Sequence, residues 1–224
     1  MGLVDSGKWL CMAAIAEATA ASFLIPGAIP LVITIGLAYS DPGAMEKAGE
    51  DWKLTAKEVE AMKTELKTLA DNVPEEKWSS QDRQAFNKAL EQYSQELNKV
   101  HSFTGDIGDM LKLASQIYFA FAVLAFALAQ ILAIQALAIA ATSWTIVGAA
   151  AIMAAANATA AAFDAIMAAA AISLKAAMMI IVGIVGAGMF IYQQATGKAA
   201  NPDGSGPVMF QKAQITPGPG PLTV

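Results

Sequence analysis

The chain has 224 residues, of which 56% are hydrophobic and only 15% charged, and its net charge is −5. The apolar share exceeds that of an ordinary soluble domain, and the acidic balance excludes the basic face that nucleic-acid binding needs. One Cys excludes an internal disulfide, and one His excludes a multi-histidine metal site.

Residues 1–40 are apolar, interrupted by Glu17. Pro26 and Pro30 divide this block into two short helices, because proline lacks the amide donor and clashes with the preceding turn. Asp5 offsets Lys8, so the basic start of a signal peptide is missing and a retained apolar hairpin is expected. Cys11 reads as a small buried hydrophobe.

Residues 41–112 carry 15 acidic and 10 basic side chains, most of the charge in the chain. Met45, Ala48, Trp52, Thr55, Val59, Met62, Leu66, Leu69 and Val73 are spaced alternately three and four apart. That pattern predicts a helix with a seam for a second helix. Pro74 ends it, and Ser79 is suited to cap the next one. The second seam runs Phe86, Leu90, Tyr93, Leu97 and Val100, then continues in phase through Thr104, Ile107, Leu111, Ala114 and Tyr118. The kept phase predicts one helix across Gly105 and Gly108. The two helices form an antiparallel hairpin turning near Trp78.

Residues 113–196 hold 30 Ala and two charges, Asp164 and Lys175. Such a composition favours helix, and the stretch is longer than one membrane span of about 20 residues. Breaks are expected at Thr142–Ser143 and, more softly, between Asn157 and Asp164. Gly183, Gly186, Ala187 and Gly188 set small residues at helix-packing spacing. Glu17, Asp164 and Lys175 interrupt apolar surroundings, so each should meet a partner on another helix or reach an interface. Residues 197–224 hold five Gly and five Pro and read as a disordered tail.

The fold class is therefore all-α: an antiparallel coiled-coil hairpin projecting from an Ala-rich apolar helical bundle, a stalk on a head. The divisions fall at 1–40, 41–112, 113–196 and 197–224. No glycine-rich phosphate loop is present, and His101 has no nucleophile nearby in sequence, so neither an enzyme nor a cofactor is expected.

The helix, turn and helix over residues 43–118 resembles the Trp-x-Gly family of small helical hairpins, the substrates of type VII secretion. In that family the tripeptide forms the turn of a four-helix dimer. Here it reads Trp78-Ser79-Ser80, with serine at the glycine position, and Phe86, Leu90 and Tyr93 fit the second-helix seam. The family's Tyr, three residues, then Asp or Glu is missing after the second helix. The resemblance implies a partner hairpin or a second copy, and export by a bacterial type VII system. The charged stalk on an apolar head also resembles the architecture of helical pore-forming toxins, which implies a lipid membrane as partner and a homo-oligomer. Two functions stay open. One is a non-enzymatic membrane-inserting protein, either a pore former or a membrane-embedded component of type VII secretion. The other is a soluble module that pairs with a partner hairpin and buries its apolar blocks as a core.

Overall fold

A computed structural model describes residues 3–73, 78, 81–143 and 146–200, and its regular elements are helical throughout. Helix α1 spans Gly7–Ser22, α2 Ile29–Leu37, α3 Pro42–Asp71, α4 Gln81–Thr142 and α5 Ile146–Ala200. Pro26 opens a short 3₁₀ turn between α1 and α2, and Pro30 sits in the first turn of α2, where its missing N–H costs nothing. Asp41 caps α3, its Oδ1 accepting from Ala44 N–H at 3.1 Å. Helix α4 passes through Gly105 and Gly108 unbroken, as the kept phase requires, and ends at the expected Thr142.

The softer break in α5 does not occur. Asn157 Nδ2 donates to the Met153 carbonyl one turn back, and Asp164 is bonded across to α2. Both polar residues are satisfied with the helix intact, and the surrounding alanines keep it. The helix also runs past residue 196 to Ala200; residues 201–224 of the expected tail lie outside the described residues.

Side-chain contacts fix the register. Gly7 lies against Phe119, and Glu17 against Gln130, so α1 runs parallel to α4. Gly27 meets Asn157 and Thr34 meets Asp164, so α2 runs parallel to α5. Gln135 meets Thr159 across α4 and α5, which follow one another in the chain and run antiparallel. These helices bury Ala14, Ala18, Ile25, Leu31, Ile35, Leu132, Ala160 and Met167 between them. Alanine-rich faces bring the backbones close, so the core is thin for so many residues.

Helix α3 runs antiparallel to α4: Gly49 meets Gly108, and the Ala56 carbonyl accepts from His101 Nδ1 at 2.9 Å. The lone histidine thus ties one helix to the other. Here the expected seam needs correcting. Gly49 and Ala56 are buried, whereas Trp52, Met62 and Leu69 on α3 and Phe86 and Tyr93 on α4 are exposed. Val59, Leu66 and Leu90 are half-buried and Leu97 is buried. The cause is the glycine contact. A Cβ on Gly49 would stand 2.8 Å from the Gly108 carbonyl oxygen. That close approach turns α3 by about one residue position and carries the bulky ladder to the flank of the hairpin.

Candidate interaction and membrane surfaces

Trp78 lies between α3 and α4 in the chain. Its ring packs against Phe86 with centroids 5.3 Å apart, and Arg83 Nη1 donates to the Trp78 carbonyl at 3.3 Å. Ser79 and Ser80 lie outside the described residues. Further along, α3 and α4 part around a cavity of about 760 Å³ with Leu66 and Leu90 in its lining. The two residues thus line one cleft together with Glu60, Lys63 and Arg83. Closer to the head, Lys53 pairs with Asp109.

The displaced ladder makes a second feature. Helical phase sets Trp52, Met62 and Leu69 on the same side of the hairpin as Phe86 and Tyr93. Leu69 is 65% and Tyr93 50% exposed. An apolar stripe therefore flanks a helix pair whose remaining faces carry alternating charge.

The apolar helices carry large apolar side chains on their outer faces as well as in their core. Phe23 is 84% exposed, Leu37 85%, Leu137 70% and Ile172 70%. Trp9, Ile29, Ile33, Ile131, Ile134, Ile166, Met179, Ile180 and Val182 are exposed as well, so α1, α2, α4 and α5 all present large apolar side chains outward. The polar side chains instead meet between helices. Gln130 Nε2 donates to Glu17 Oε1, Thr34 Oγ1 to Asp164 Oδ1 at 3.0 Å, Gly27 N–H to Asn157 Oδ1 at 2.8 Å, and Gln135 Nε2 to Thr159 at 3.4 Å. Exposed Ser173 bonds its own helix at the Ala169 carbonyl. Of the three ionisable groups expected to find partners, Glu17 and Asp164 do so on neighbouring helices. Lys175 is exposed and lines a cavity with Thr34 and Tyr118. By length and composition, segments within Phe86–Thr142 and Ala150–Gly183 are apolar enough to cross a membrane, whereas the apolar window within Pro26–Asp71 is divided between the nine-residue α2 and the start of α3.

Of the small residues in α5, Gly183 and Gly186 face open space and Gly188 approaches the Phe103 ring. Within one chain, then, the expected close helix contact is absent at Gly183 and Gly186. The Ala187 side chain lies outside the described residues.

Charges gather where the two parts meet. Lys8 Nζ stands 3.1 Å from Asp41 Oδ2. The Ala44 N–H and the Lys8 ammonium hold the Asp41 carboxyl below the usual carboxylate range, and Asp41 raises Lys8 in turn. The start of α1 is thereby tied to the start of α3. Pro42 packs on Gly7, and Gly43 abuts Asp5.

Residues 40–119 match the family model of proteins of 100 residues with WXG. The WXG match spans α3 and the first part of α4, the segment whose sequence carries the resemblance. It stops short of α1, α2 and α5, so about a third of the chain is covered. No curated protein and no solved structure matches the chain. The stripe on the hairpin flank was missed from sequence as a surface, because its spacing is the same whether it faces the neighbouring helix or a second hairpin.

Proposed function

We propose that this chain is a membrane-embedded helical protein of the type VII secretion setting, whose charged hairpin stands outside the bilayer and pairs with another helical hairpin. One observation carries the membrane half: large apolar side chains cover the outside of α1, α2, α4 and α5, while half-buried amide, hydroxyl and carboxyl groups pair between helices. In water that arrangement exposes far more apolar surface than a soluble monomer tolerates. In lipid it is the expected one, since hydrocarbon solvates the exterior and polar groups need partners within.

Topology supports the same reading. The α1–α2 turn at residues 23–28 and the end of α4 at Thr142 and Ser143 lie at one end and carry no charge. Lys8, Asp41, Asp109 and Lys112 lie toward the other end, with the hairpin. The uncharged end can therefore cross the bilayer, while the hairpin, the start of α1 and the end of α5 remain on one side. The match to the WXG family supports the pairing half, and the stripe of Trp52, Met62, Leu69, Phe86 and Tyr93 gives a second hairpin an apolar face to cover.

The test is flotation with vesicles. The native chain should rise with lipid and need detergent for release. Ile134→Arg combined with Leu137→Arg charges two exposed positions, at about 3 kcal/mol each in a bilayer. The double variant should float poorly, whereas exposed positions facing water would tolerate it. A native chain that stays monomeric in plain buffer would overturn the reading in favour of the soluble pairing module.

A further inference from the structure

Glu17 and Asp164 stand on different helices but at one depth. The Gln135–Thr159 bond sets α4 against α5, and five residues back along α4 and five forward along α5 lie Gln130 and Asp164. Gln130 Nε2 donates to Glu17, and Thr34 Oγ1 donates to Asp164. One polar side chain from each of α1, α2, α4 and α5 therefore lies in a layer at this depth, as two half-buried hydrogen-bonded pairs. Residue 130 is near the centre of the apolar part of α4, so in the membrane reading, on which this inference rests, the layer sits near mid-bilayer. Glu17 Oε2 and Gln135 Oε1 are buried without a hydrogen-bond partner.

Two carboxyl groups at that depth are costly as stability devices and characteristic of sites that take up and release charge. Polar groups continue from the layer in both directions. Toward the hairpin, Thr34 lines a cavity of about 480 Å³ that also holds Tyr118 and Lys175. Toward the uncharged end come the Gln135–Thr159 pair, then Asn157 on the Gly27 amide. Within residues 9–39 and 113–190 the other titratable side chains are Cys11, Tyr39, Tyr118 and Lys175.

From this arrangement we infer that the layer is a proton-transfer site, in which Glu17 and Asp164 each take up and release protons between the helices at mid-depth. Each carboxylate takes a proton from one side as a carboxyl and gives it up to the other. Only O–H bonds form and break, and a counter-ion crossing the membrane separately balances the charge. Gln130, on the helix that touches both α1 and α5, holds Glu17, and Thr34 holds Asp164.

The experiment reconstitutes the full chain into phosphatidylcholine–phosphatidylglycerol vesicles loaded with a pH-sensitive dye, with potassium and valinomycin supplying the counter-ion path. Internal pH should follow an imposed gradient faster than in empty vesicles. Glu17→Gln and Asp164→Asn keep the hydrogen bonds but not the titration, and each should slow the change by about tenfold or more. Both variants should float with lipid and keep native helicity. Native flux equal to that of empty vesicles, or variants as fast as native, would overturn the proton site while leaving the membrane reading standing. Release of a bulky trapped dye by the native chain and both variants alike would also overturn it, in favour of a general pore. A native chain that does not float with lipid would refute the membrane reading and the proton site together.

Discussion

Gly49 and Gly105 are both glycines inside long helices, and their surroundings predict opposite responses to alanine. A Cβ at Gly105 meets nothing within 4 Å, so Gly105→Ala gains helix propensity alone, about 0.8–1 kcal/mol of stability. The same gain applies at Gly49, but there the new Cβ would stand 2.8 Å from the Gly108 carbonyl oxygen and 3.3 Å from Leu111 Cβ. The first contact is with backbone and cannot be relieved by a rotamer change. Forcing a methyl into packed surroundings costs roughly 1–3 kcal/mol, so the net expectation for Gly49→Ala is a loss of about 1 kcal/mol. The two variants should therefore differ by about 2 kcal/mol in opposite directions. Hydrogen exchange read on peptides from residues 42–60 and 100–112 measures this within the hairpin, independent of the apolar bundle. Equal stabilisation by both substitutions would refute the close approach of α3 to α4, and with it the rotated seam that exposes Trp52, Met62 and Leu69.

Leu97 is buried, so Leu97→Ala should cost about 2–4 kcal/mol in the same assay, whereas exposed Met62→Glu should leave exchange unchanged and weaken association between hairpins in cross-linking. Trp78 is half-buried against Phe86, so Trp78→Ala should cost about 2 kcal/mol, less than a fully buried ring, and should raise exchange first near residues 83–90. Asp41→Ala removes the α3 cap and should cost about 1 kcal/mol. Because the folded Asp41 carboxyl lies below its ordinary 3.8, its contribution is present at neutral pH and lost as acid takes the pH below that value; the stability difference between the native chain and Asp41→Ala, read by circular dichroism, should therefore shrink in acid.

The sequence resolved what short-range physics decides. Prolines at 26 and 30 divided α1 from α2, the Thr142–Ser143 break ended α4, and the unbroken three-four spacing carried α4 past two glycines. What stayed hidden depended on contacts between distant residues. The ladder at Trp52, Met62 and Leu69 has correct heptad spacing, yet spacing cannot tell which neighbour a stripe meets. The decisive feature was a pair of glycines, 49 and 108, that become one contact only when the hairpin closes. Likewise, Glu17 and Asp164 each showed in sequence as an interruption of an apolar run. That they share a depth follows from the register of four helices and not from their separation along the chain.

These two outcomes have a common physical root. Small residues let helices approach closely, and close approach leaves little interior volume for large side chains. In the hairpin, Gly49 and Gly108 take the contact and the bulky ladder is displaced to the flank. Among the alanine-rich helices, Ala14, Ala18, Ala125, Ala129, Ala156 and Ala160 take the contacts, and Ile134, Leu137, Ile172 and Ile180 are displaced outward. Water opposes the second arrangement and hydrocarbon does not. Alanine contacts between these helices that leave Ile134, Leu137, Ile172 and Ile180 outside are what the proposed membrane reading requires, while the same packing rule, applied to a charged hairpin, leaves one narrow stripe that the proposed second hairpin would cover.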